Sequence, residues 1–127
     1  MLHFLITFLL YAAFDLAFIN FFAKKFIHEQ VGWLLAPKPD LGAGLLFYLI
    51  FSAGLLFFCI GPAQTARGAM FNGAFFGLVT YATYELVNKA LLANWPWPLV
   101  LVDLAWGTLA GAVVCWASWK LGHLVNA

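Results

Sequence analysis

From Leu2 to Ala23 the chain runs with only one formally charged side chain, Asp15. A stretch of that length and character demands a lipid solvent, because the hydrocarbon core of a bilayer, about 30 Å thick, takes about 20 apolar residues per helix. Three more stretches qualify: Leu41–Gly61, Gly68–Leu92 and Trp97–Leu121. The runs are continuous and lack the alternation of barrel strands, so helices are expected. Composition agrees. Of 127 residues, 65% are hydrophobic and 9% charged, where a soluble domain carries about 25% charged residues. Six Lys/Arg and five Asp/Glu cannot cover a water-facing surface. The apolar excess excludes disorder, the two cysteines exclude a disulfide-stapled domain, and a net charge of +1 excludes a basic nucleic-acid binder. The expected fold is an all-α integral membrane four-helix bundle, one transmembrane domain over 1–127.

Four spans place both termini on one side of the bilayer, here side A, and the first and third connections on side B. The first span reads as retained rather than as a cleaved signal. No Lys or Arg precedes it, Asp15 lies inside it and no A-x-A site follows. The second connection, Pro62–Arg67, is short and makes its helices antiparallel neighbours. The third, Asn94-Trp95-Pro96-Trp97-Pro98, sets prolines in a helix's first turn and tryptophans at the headgroups. In the first, Ile27, Val31, Leu34 and Leu35 fall on one helical face among polar Lys24, Lys25, His28 and Glu29. The segment over 24–36 reads as a short amphipathic helix lying in the interface, with an extension of the first span as the alternative. Pro37 and Pro39 end it, and Asp40 is placed to cap the second span. Lys24, Lys25, Lys38 and Lys89 on side B outnumber Arg67 and Lys120 on side A, so the positive-inside rule sets the termini outside the cytoplasm.

An internal repeat runs through the spans. Tyr11-Ala12-Ala13-Phe14-Asp15-Leu16 is answered by Tyr81-Ala82-Thr83-Tyr84-Glu85-Leu86, and Ala53-Gly54 with Cys59 faintly echoes Ala110-Gly111 with Cys115, at a spacing that differs by one residue. Tyrosine and an acid at equal spacing are scarce letters in this composition. Two related helical hairpins are expected, about a pseudo-twofold axis along the membrane normal.

An acid near the bilayer centre costs at least ~2.5 kcal/mol on insertion scales, which makes each one a functional candidate. Asp15, Glu85 and Asp103 all fall in the side-B half of their spans. Tyr81, Tyr84, Glu85 and Asn88 form one stripe, Tyr11 precedes Asp15 by one turn, and Trp106 follows Asp103 on the same face. Asp15, Glu85, Asp103, Tyr11, Tyr81, Tyr84, Asn88 and Trp106 are therefore expected to line one buried acidic pocket. Neighbouring carboxylates in a low dielectric cannot all ionise together, which suits proton-linked transport, cation binding or general acid catalysis. The structural alternative pairs Glu85 with Lys89 at i,i+4 and uses Asp103 to hold a tryptophan or tyrosine. Gly73-x-x-x-Gly77 and Gly107-x-x-x-Gly111 are seams for close helix packing.

Cys59, Cys115, His3 and His123 lie in the side-A half without metal-ligand spacing and read as buried thiols and terminal histidines. No metal and no cofactor is implied. Taken together, the segments 73–88 and 101–108, with YATYELVN and LVDLAWGT, and Asn94-Trp95-Pro96 resemble a family of small bacterial four-helix membrane proteins of unknown function. The chain departs from that pattern at Glu85, where the family has Asp, and at Val87, where a Thr is usual. The resemblance implies a bacterial inner-membrane protein and carries over no catalytic residue.

Three functions fit such a pocket. One is binding or transport of a small hydrophobic or cationic ligand, coupled to a proton. Another is a membrane enzyme acting on a lipid or isoprenoid. The third is an accessory subunit of a larger membrane complex, with the acids as glue. Four helices make a thin wall, so a homodimer meeting through the glycine seams is also expected.

Overall fold

The computed structural model describes residues 1–126. Those residues form four helical rods and no strands. The first rod is continuous from Leu2 to Leu34. It comprises α1 (Leu2–Phe18), a π-helical segment (Ile19–Ala23), α2 (Lys24–Val31) and a 3-10 turn (Gly32–Leu34). Backbone angles stay helical across both junctions, and the Lys24 amide bonds to the Ile19 carbonyl, five residues back. The amphipathic segment is thus an extension of the first span and not a separate interfacial helix. The reason is in the sequence: no glycine or proline separates Phe18 from Val31, so nothing interrupts the backbone ladder. At 1.5 Å per residue the 33-residue rod is about 50 Å long, well beyond the hydrocarbon core.

The second rod joins α3 (Leu41–Gly54) to a π segment (Leu55–Ile60). Asp40 caps it, its carboxylate accepting from the Ala43 amide at 3.1 Å. The Gly61 amide closes the π turn on the Leu56 carbonyl at 2.7 Å, while Asn72 reaches across to donate to the Cys59 carbonyl at 3.1 Å. The third and fourth rods are α4 (Ala66–Leu91) and α5 (Trp97–Asn126). Leu2–Leu34, Leu41–Ile60 and Trp97–Val125 are long and apolar enough to cross a membrane. The expected span at 68–92 is less apolar, because α4 carries Arg67, Asn72, Thr80, Thr83, Glu85, Asn88 and Lys89. It nevertheless lies antiparallel along α5 and shares its depth.

That pairing is the closest in the molecule, and the glycine seams make it. A Cβ added to Gly77 would run into the Gly107 carbonyl, one on Gly73 into the Gly111 carbonyl, and one on Gly111 into the Gly73 carbonyl. One on Gly107 would strike the Tyr81 ring. Both seams are therefore spent on each other within one chain, which corrects the expectation that they meet a second copy. Around the bundle, α1 packs against α3 and α5, while the backbone of α4 approaches the second rod at its π segment and its Phe76 and Tyr81 rings reach Phe51 at the end of α3. The side-A half is thus closed on all sides. In the side-B half the rods form an open C, ordered α3, α1, α5, α4, with a gap between α3 and α4.

Candidate functional site

Residues of all four rods surround a cavity of about 410 Å³ in the side-B half. The first rod contributes Asp15, Phe18, Ile19, Ala23 and Ile27, with the π segment supplying two of the wall positions. Such π segments recur at functional sites because the extra residue re-aims the side chains around it. From α3 come Phe47 and Phe51, from α4 Thr80, Tyr81 and Tyr84, and from α5 Asp103 and Trp106. A second hollow of about 210 Å³ lies nearer side B, with Glu85, Trp95 and Leu99 in its wall. Asp103, Tyr84 and Ile27 belong to both.

The three intramembrane acids meet different partners. Asp15 is fully engaged: Trp106 Nε1 donates to one carboxylate oxygen at 3.0 Å and the Tyr48 hydroxyl to the other at 2.7 Å. Trp106 is itself stacked flat on Phe18, ring centres 3.9 Å apart, with Phe14 at 5.0 Å. Glu85, only 2% exposed, accepts from Trp95 Nε1 at 2.9 Å. Lys89 does not pair with Glu85; its ammonium donates to the Trp95 carbonyl at 2.8 Å and lies over the Trp97 ring. One lysine thereby anchors the loop whose indole holds the acid. Asp103 is half-buried and has Glu85 as its acidic neighbour. Its carboxyl lies within hydrogen-bonding reach of that of Glu85, and among the described residues no indole, phenol, amide or cation bonds to it.

The predicted pocket residues are thus largely gathered, though not into one chamber. Asp15, Tyr81, Tyr84, Asp103 and Trp106 line the larger cavity, while Glu85 faces the smaller one. Tyr11 is fully buried beneath the cavity, where its hydroxyl and that of Tyr81 hydrogen-bond to each other. Asn88 lines neither hollow. Trp106 was expected beside Asp103, three residues before it, but its indole crosses to Asp15. A side chain on α5 reaches the neighbouring rod more directly than it reaches its own backbone neighbour.

Sequence reasoning missed Tyr48 and Trp95. A lone tyrosine inside the apolar run 41–61 was a usable signal for Tyr48. Trp95 was assigned to the headgroup region, yet it is only 6% exposed. Asn94, at φ 63, turns the chain through the left-handed region and folds the indole back under α2. On side A the structure adds a polar tie that spacing did not reveal. Thr7 and Ser118, both buried, share a 2.6 Å hydrogen bond, and His3 Nε2 donates to the Ser118 carbonyl at 2.9 Å. Cys59 and Cys115 are free, buried, interacting neighbours between the second rod and α5.

A family model described as predicted membrane protein (DUF2177) matches residues 1–120. The chain belongs to this family. No curated protein and no solved structure matches it. Membership in DUF2177 agrees with the resemblance seen in the sequence and with the membrane-spanning length of the helices. It assigns no reaction, so the chemistry of this DUF2177 member is argued from the cavity.

Proposed function

We propose that this DUF2177 protein binds, within the membrane, a small and largely apolar ligand carrying a cationic head. Three features support the reading. The cavity has the size of a small-molecule site, which spans about 300–1,000 Å³. Its wall is mostly aromatic and aliphatic, and its charged members are carboxylates with no lysine or arginine among them. Aromatic faces beside a carboxylate are the usual surroundings of a bound organic cation. The observation that carries the proposal is the contrast between Asp15, whose carboxylate receives an indole and a phenol, and Asp103, which lines both hollows and has only the carboxyl of Glu85 as its hydrogen-bonding partner. Two facing carboxyls that receive no cation from the protein are completed by a cationic donor from a ligand or by a shared proton. Indoles hold Asp15 and Glu85 in place, and the outward side of Asp103 is left to meet the guest.

The test is native mass spectrometry of the gently extracted protein, followed by titration with alkylammonium probes. Co-purification of a small basic molecule with the wild type, lost in Asp103→Asn, is the expected result. Loss of a charged hydrogen bond worth about 1.5–3 kcal/mol corresponds to roughly ten- to hundredfold weaker binding. Equal binding by wild type and Asp103→Asn would remove Asp103 from the site. A co-purifying protein in place of a small molecule would favour an accessory-subunit role. The same spectra report whether the chain forms the expected homodimer, which must then use lipid-facing surfaces in place of the glycine seams.

A further inference from the structure

We propose that the ligand reaches the cavity sideways, out of the bilayer and between α3 and α4, and is therefore a long-chain amphiphile with an ammonium head. The inference rests on the binding role proposed above and adds a route and a ligand class. Packing order supplies the first argument. The backbones of α3 and α4 do not approach each other, and the Phe51 ring bridges them to Phe76 and Tyr81 only at the cavity floor, so above that level no helix closes the space between them. The residues flanking that space are the most open of the cavity wall: Phe47 is 43% exposed and Tyr84 is 56% exposed.

Gly44 supplies the second. It lies three residues before Phe47 and seven before Phe51, on the same helical face of α3. A Cβ built there meets nothing within 4 Å. The face that looks into the slot is unobstructed one turn above the cavity wall.

The ends of the cavity supply the third. Towards side A it is floored by the Tyr11–Tyr81 pair and by Phe51, whose ring lies 4.7 Å from that of Tyr11 and 5.5 Å from that of Phe76. Towards side B, Val31 packs with Trp95, Leu99 and Val100, so α2 and the loop before α5 fold over the top. Water is thus hindered at both ends, while the flank faces lipid. A guest that arrives through lipid must carry an apolar chain, and one that stops beside Asp103 must bring a cation or a donor. The volume of about 410 Å³ takes a head and a short stem, leaving the remaining chain in the slot among the acyl tails.

The experiment uses the full chain in lipid nanodiscs and three probes: photoreactive dodecylammonium, photoreactive dodecanol and butylammonium. The dodecylammonium should label residues of the α3–α4 slot and be competed by excess unlabelled dodecylammonium, with dodecanol labelling about tenfold less. Gly44→Phe fills the open face and should slow dodecylammonium labelling about tenfold, while butylammonium still competes at its wild-type concentration. Gly44→Ala, which adds one methyl in open space, should label like the wild type and serves as the folding control alongside melting temperatures. Unchanged dodecylammonium labelling in Gly44→Phe, with competition still lost in Asp103→Asn, overturns the lateral route and leaves the binding role standing. An equal loss of competing potency for butylammonium in Gly44→Phe overturns it too. No competition by either amine in the wild type overturns the binding role itself.

Discussion

At the scale of single residues, the same functional group serves different ends according to the donors around it. Asp15 and Glu85 are held by indole N–H groups, and Asp15 by a phenol as well. A carboxylate under lipid is costly unless bonded. Trp95→Phe keeps the packing of the ring and removes one donor from Glu85. It should lower stability by about 1–3 kcal/mol, the range for leaving a buried polar group without its partner. Reversible unfolding in mixed micelles reads that loss, and a wild-type midpoint would show that the bond contributes nothing. Asp103→Asn should behave oppositely, matching or exceeding wild-type stability in the same measurement, because the amide can donate to Glu85 and one of two facing carboxyls is removed. The pair of results separates an acid that holds helices together from one reserved for a ligand.

At the scale of helices, the contact between α4 and α5 depends on the absence of side chains. Gly77→Ala places a methyl against the Gly107 carbonyl and should force the helices apart. Overpacking of this kind costs about 1–3 kcal/mol, visible as a lower melting temperature in detergent. Gly44→Ala is the matched comparison on α3, where the added methyl meets open space. There the gain in helix propensity should stabilise by about 0.5–1 kcal/mol. Opposite signs for one chemical change would follow from position alone. The seams themselves were legible as G-x-x-x-G spacing, but their partners were not. Spacing shows that a helix face permits close approach, and the choice between a neighbour in the chain and a second copy depends on how the rods assemble. The join of α1 to α2 was likewise left open by the sequence. Amphipathic periodicity describes which face is apolar and does not distinguish a free interfacial helix from a continued one.

At the scale of the whole molecule, residues matched by the expected repeat come together in space. The matched tyrosines, Tyr11 and Tyr81, bond to each other, and the two cysteines, one residue out of register in the repeat, are neighbours. Residues close to a twofold axis meet their own counterparts, so two such encounters at different depths support a pseudo-twofold axis along the membrane normal. A short bifunctional thiol reagent should therefore join Cys59 to Cys115 within one chain, giving a monomer of increased gel mobility and a mass increase of one linker. Linked dimers with unlinked monomers would contradict the pairing.

The order of amino acids was enough to place this chain in a bilayer, to make it helical there, and to mark which residues are too costly to be there without cause. Those properties follow from local composition: the thickness of the hydrocarbon core sets the length of an apolar run, and desolvation singles out each acid within it. Which acid is held by donors and which faces another acid came from the packing. Trp106 reaches Asp15 across 91 residues and Tyr48 across 33, while Trp95 turns back ten residues to Glu85 through the loop at Asn94, and no local pattern encodes where those rings point.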